Sequence, residues 1–214
     1  MQRDIDMSEV SDGKLYKLND MVRCGTNDCK GCSECCHFVE DTIILDPYDV
    51  YELTVATGKS FTQLLSEELI ELHMVDGVLL PNIKMQKGDN PGCAFLNADG
   101  RCLIHNHRPG FCRLFPLGRV YEDGGFSYFL QIHECDHLTG AKIKIKKWLG
   151  IPNAAEYEKF VLAWHDHLQD FRNELSAMEP DKISLMLTTF LKHYYEKSYD
   201  MNMPFYGQFY ERML

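Results

Sequence analysis

The stretch Cys29-Lys30-Gly31-Cys32-Ser33-Glu34-Cys35-Cys36 places four cysteines within eight residues, and His37 follows at once. A C-x-x-C step lets the backbone turn back so that two sulfurs face one centre, and zinc–thiolate bonds need sulfurs about 2.3 Å from the ion. Two such steps run in succession, Cys29 to Cys32 and Cys32 to Cys35. The same double spacing opens the ferredoxin run that holds an iron–sulfur cluster. The stretch reads as a metal-ligating loop, with Gly31 as its flexible joint. Cys35 is expected at the same centre as Cys29 and Cys32. Adjacent side chains tend to point apart, so Cys36 is expected to serve a second centre or none.

Composition bounds the reading. A chain of 214 residues, 45% hydrophobic and 12% aromatic, can bury a real core in one domain. A formal net charge of −10 disfavours a nucleic-acid surface. No apolar run approaches the roughly 20 residues of a membrane span. The polar, acid-bearing start has no apolar leader segment, so a cytoplasmic protein is expected. Nine cysteines in such a chain point to metal or redox chemistry rather than to a disulfide framework, and an odd count leaves at least one unpaired.

Residues 1–20 show no period and read as an extension; Cys24 fits no ligand step and reads as a spare thiol. Thr42 to Leu45 resembles a short strand. Asp46-Pro47 then opens a helix that Gly58 ends, and Ser60 with Gln63 caps a second one. Asp76-Gly77 marks a hairpin, after which Pro81, Ile83 and Met85 suggest an edge strand. Cys93 and Cys102 flank Asn97-Ala98-Asp99-Gly100 as the arms of another hairpin. Cys112 lies in the tightly constrained Arg108–Pro116 segment. A hairpin around Asp123-Gly124-Gly125 delivers His133, Cys135 and His137. Lys142, Lys144, Lys146 and Lys147 make a basic patch, read as a solvated face. Beyond Asn153, apolar residues from Tyr157 to Met178 recur at steps of three and four. Pro180 starts a second stripe, so the two form an antiparallel helical hairpin with an aromatic- and methionine-rich tail.

The chain resembles the YkgJ-type cysteine-cluster family, a zinc- or iron-chelating domain whose pattern is C-x-x-C-x-x-C-C, a later cysteine, C-x-I-Y-x-x-R-P-x-x-C-R-x-F and a final cysteine. Cys29, Cys32, Cys35 and Cys36 match the first motif, and Cys93 the later cysteine. Cys102, Ile104, Arg108, Pro109, Cys112, Arg113 and Phe115 match the long motif, and Cys135 the last cysteine. His105 stands where the family usually has tyrosine, and Ser33 where many members have glycine. The resemblance covers roughly residues 24–150 and implies metal binding. A related class, the flagellin lysine N-methylases, carries a similar cluster, but no glycine-rich nucleotide loop is present here.

The expected architecture is α+β: a small cysteine-rich core of hairpins and short helices around a metal centre, closed by the C-terminal helical hairpin. Expected boundaries are 1–23 for the extension, 24–150 for the cysteine-cluster domain and 151–214 for the hairpin and tail. Expected metal ligands are Cys29, Cys32, Cys35, Cys36, Cys93, Cys102, Cys112 and Cys135, holding an iron–sulfur cluster or zinc or iron ions. Buried thiolate charge needs neutralising donors, so Arg108 and Arg113 are expected beside the sulfurs. His37, His105, His107, His133 and His137 lie near cysteines in sequence, with an ordinary imidazole as the default for each. A redox, electron-transfer or sensing role is the leading reading. A protein-modifying methylase and a structural zinc module that presents a surface to a protein partner are the alternatives.

Overall fold

A computed structural model describes residues 6–26, 32–37, 42–88, 91–122 and 124–214. Helix α1, Met7–Val10, starts where the Asp6 carboxylate accepts from Ser8 N–H, and strand β1 is Met21–Val22. Helix α2, Glu34–His37, carries the adjacent cysteines. Helix α3, Pro47–Thr57, has proline in its first turn, a reciprocal capping box between Asp46 and Asp49, and left-handed Gly58 at its end. Helix α4, Phe61–Ser66, repeats the device with Ser60 and Gln63. Strands β2, Ile70–Val75, and β3, Val78–Ile83, pair antiparallel. Asp76 and Gly77 between them both take positive φ (49° and 82°), as the tight hairpin turn requires.

Strands β4, Met85–Gln86, and β5, Gly92–Cys93, pair next, followed by a 3₁₀ turn over His105–His107 and helix α5, Gly110–Leu114. Strands β6, Leu117–Glu122, and β7, Gly125–Leu130, form a second hairpin. Strand β8, Ile143–Lys144, pairs with β1 and leads into helix α6, Ile145–Leu149. The long helix α7, Ala154–Ser176, is followed by α8, Pro180–Leu191, a π-helical turn Lys192–Glu196 and helix α9, Phe205–Arg212. The fold is mixed α+β. Among the described residues no helix is long and apolar enough to cross a membrane.

The chain divides into two interleaved compact units, 1–32 with 111–163 and 33–110 with 164–214. In the first, the β6–β7 hairpin is extended by the N-terminal segment: Tyr16 and Tyr128 exchange backbone hydrogen bonds of 2.8 and 2.9 Å. Ser11 also bridges to Gln131, so within the described part of the N-terminal segment these pairings are made by backbone and leave no hydrophobic period in the sequence. Tyr128, Tyr157 and Phe160 fill this unit's core. The Arg119 guanidinium lies 5.4 Å from the Phe126 ring centre and 5.7 Å from that of Tyr157. Asn153 precedes α7 with φ 53°, in the left-handed region that asparagine tolerates, and its carbonyl accepts from Glu156 and Tyr157 N–H at 2.9 and 3.1 Å.

The second unit is built on aromatic packing. Phe171 stacks on Phe190 at 4.2 Å and Trp164 meets Tyr194 edge-on at 5.1 Å, so this part of α7 and the segment of α8 with its π turn run antiparallel. The tail folds back: Phe205 and Phe209 are buried, and Arg212 donates to the carbonyl of His193 in the π turn and to those of Lys197 and Ser198 just after it. Pro81 lies in β3 of the two-stranded β2–β3 sheet, on the side that meets the segment before α3. Ile44 bridges to Asn82, and the Pro81 carbonyl accepts from Leu45 N–H at 2.8 Å, which uses the one backbone hydrogen-bonding group a proline has.

One carboxylate links α3 to the segment after the 3₁₀ turn. Asp49 is 2% exposed; its Oδ2 accepts from Asp46 N–H at 3.1 Å and its Oδ1 from Gly110 N–H at 2.7 Å. Glu52 and His107 add a 3.0 Å contact one turn along. Removing the carboxylate leaves two donors without their acceptor, in a setting where charged hydrogen bonds matter most. Asp49→Ala is expected to lower stability by roughly 2–4 kcal/mol in urea unfolding, and Asp49→Asn by about half as much. A loss under about 1 kcal/mol for the alanine variant would contradict this account of the latch.

Candidate metal centre

The second unit gathers four of the cysteines. Ser33 precedes α2, and the 2.9 Å bond from Cys36 N–H to the Ser33 carbonyl closes the turn that presents Cys35 and Cys36. Cys93 ends β5, where its sulfur accepts from Phe95 N–H at 3.5 Å. The chain then reverses through Asn97–Gly100, with Gly100 at φ 70°, and Leu96 bridges to Cys102. All four thiols are half-buried.

These thiols act on one another. A hydrogen bond to Cys36, burial and the neighbouring Cys36 charge push the Cys35 thiol far above its ordinary pKa, against a lowering pull from Arg108. Burial raises Cys93 to about 11, with Cys102 and Cys35 adding to the rise. Burial also raises Cys102, while the Ile104 backbone and Arg108 draw it down. Thiols crowded in this way resist ionising together. A soft cation reverses the balance, because each thiolate then faces positive charge. The donor set suits zinc or iron by its chemistry, but no three of these four sulfurs lie within 4.8 Å of one another, so a bound ion would have to draw them closer. Thiolate-bound metal would supply a fixed charge or an electron-accepting site, and these side chains would hold it.

Arg108 draws down both Cys35 and Cys102, with Arg101 also acting on Cys102, and the Arg108 Nε donates to the His105 carbonyl at 3.0 Å. Arg113 belongs to the first unit. It is 5% exposed, and its Nη1 donates to the Leu149 and Gly150 carbonyls, each at 3.4 Å.

The first unit contains the remaining described cysteines of the motif. Cys32 lies with its sulfur within 4.8 Å of a ring nitrogen of His137, a distance that suits two ligands of one ion. Cys112 stands in α5, and Cys135 follows the β6–β7 hairpin; both are half-buried. Cys24 is fully buried, and burial raises it to about 12, which fits an inert packed thiol. The expected ligand Cys29 lies outside the described residues, as does the Gly31 joint. The partners of Cys35 here are Cys36, Cys93 and Cys102, a grouping the C-x-x-C spacing does not encode. A second grouping that spacing hid is Ser33 with His37, whose only sequence signal is their i,i+4 separation.

Residues 28–139, just over half of the chain, match the family CxxCxxCC, described as "Putative zinc- or iron-chelating domain". No curated protein and no solved structure matches.

Because Cys35, Cys93 and Cys102 keep their protons at neutral pH in the metal-free protein, metal must displace them. Zinc affinity is expected to rise with pH between 6 and 8, with about two or more protons released per ion. A competition titration with a chromophoric chelator in weak and strong buffers measures both. Affinity independent of pH would contradict the thiolate set.

Proposed function

The chain belongs to the CxxCxxCC family of zinc- or iron-chelating domains, and we propose that it binds metal through Cys35, Cys36, Cys93 and Cys102, with iron as the resident metal. The observation that supports this reading is the family match over residues 28–139, together with the packing of α2, which carries Cys35 and Cys36, against β5, which carries Cys93. Thiolate donors select zinc, copper(I) and iron–sulfur centres over hard cations. The two successive C-x-x-C steps, Cys29 to Cys32 and Cys32 to Cys35, share only Cys35 with this set; they support iron–sulfur over zinc to the extent that Cys29 and Cys32 join the same centre.

An iron centre suits a redox, electron-transfer or sensing role, exercised through a protein partner in a reducing compartment such as the cytoplasm. Arg108 then has a defined job. A positive neighbour favours the added electron, and it offsets the negative charge that four thiolates bring to a half-buried place. A structural zinc module with the same ligands is the competing outcome, and metal content separates the two.

Protein purified without oxygen is expected to contain iron and acid-labile sulfide, and to lose both in Cys35→Ser and Cys93→Ser. Zinc alone, with no iron taken up on reconstitution, would replace the redox role with a structural one. Folded protein with neither metal would end the metal reading. Arg108→Met is expected to lower the reduction potential of an iron centre without changing its iron content.

A further inference from the structure

Helix α2 and strand β5 meet through the side chain of His37. Its Nδ1 lies 2.5 Å from the Pro91 carbonyl oxygen. A carbonyl only accepts, so Nδ1 carries the ring proton. In the neutral ring Nε2 is then an acceptor, and the Ser33 hydroxyl stands 3.3 Å from it as donor. The two bonds fix both the tautomer and the orientation of the imidazole.

The neighbouring glycines show how close this approach is. A Cβ on Gly92 would fall 3.1 Å from His37 Nδ1, and one on Gly100 would fall 3.3 Å from Ser33 Oγ. Side chains at either position would push the pair away from the strand and from the Asn97–Gly100 turn. Cys35 and Cys36 lie between Ser33 and His37 in the chain, and Cys93 lies two residues after Pro91. The imidazole therefore joins the element that carries two thiols to the element that carries a third.

We infer that His37 is the positioning residue of the thiol group: its Nδ1–H bond to Pro91 holds the Cys35–Cys36 turn against the Cys93 strand. The inference rests on the reading that these thiols hold the metal. His37 acts through the cysteines and is not itself a ligand. Partners of this kind, one step removed from a metal, set ligand geometry, and their loss costs 10–100-fold in affinity.

Three variants separate the roles. Asparagine places its amide nitrogen where histidine has Nδ1, so His37→Asn keeps a donor for Pro91 and drops Nε2. His37→Ala removes both. Gly92→Ala leaves every polar group in place and crowds the ring. Two measurements are made on each. In the metal-free protein, cross-linking of thiols by dibromobimane, followed by peptide mapping, reports how close Cys93 stays to Cys35 and Cys36. Zinc affinity is measured separately by chelator competition.

His37→Ala and Gly92→Ala are expected to cut the cross-link yield at least about fivefold and to weaken zinc binding about 10–100-fold, with His37→Asn within about twofold of the original chain in both. Long-range proton–nitrogen spectra of the unaltered protein are expected to show the Nδ1–H tautomer of His37. Wild-type cross-linking in His37→Ala would overturn the inference. An Nε2–H tautomer would do the same, as would a His37→Asn variant as impaired as His37→Ala. If cross-linking follows the expected order but the original chain binds neither zinc nor iron, the clamp stands and the metal reading falls. If zinc binds but cross-linking ignores His37, the metal reading stands and the clamp falls.

Discussion

Neighbouring thiols repel one another as soon as they ionise, and Cys35, Cys36, Cys93 and Cys102 of the Ser33–Gly110 region are subject to that constraint. Cys35 bears most of it, through its hydrogen bond and its charge coupling to Cys36. Two local contacts fix the segments that carry these residues. Asp49 divides its two oxygens between the start of α3 and Gly110, which fixes the segment that carries Arg108. His37 spans from α2 to the carbonyl of Pro91. Each contact contributes on the order of 1–3 kcal/mol. A thiolate-bound ion contributes about 10–16 kcal/mol in small zinc domains, so a metal would dominate the local balance and the polar contacts would set its geometry.

The aromatic core of the same unit carries a different load. Trp164, Phe171, Phe190, Tyr194 and Phe209 are buried together. Tyr195 reaches Leu45 O with a 3.0 Å hydrogen bond, which ties the π-helical turn to the segment before α3. The scaffold is therefore expected to persist when metal is removed, with the loss felt first in the loops that carry the cysteines.

What could be read in the sequence follows from the range of the interactions. The capping boxes of α3 and α4, the Asp76-Gly77 turn and Pro180 at the start of α8 are local chemistry, and each stands where its residues imply. The grouping of Cys35 and Cys36 with Cys93 and Cys102 depends on pairing between distant segments, which spacing within one motif cannot encode. The same applies to the pairing of Tyr16 with Tyr128, made by backbone atoms in a stretch with no apolar period. Pro81 stands in β3 of a two-stranded sheet, as its missing N–H suggests, while its carbonyl accepts from Leu45 N–H, a contact between distant segments that the sequence does not show.

The central claim is that cysteine sulfur, and not histidine or carboxylate, surrounds the metal. X-ray absorption at the metal edge of the anaerobically purified protein tests it most directly. The account predicts a first shell of about four sulfurs near 2.3 Å, with a second shell of iron if the centre is a cluster. A first shell made mainly of nitrogen and oxygen at about 2.0–2.2 Å would contradict it.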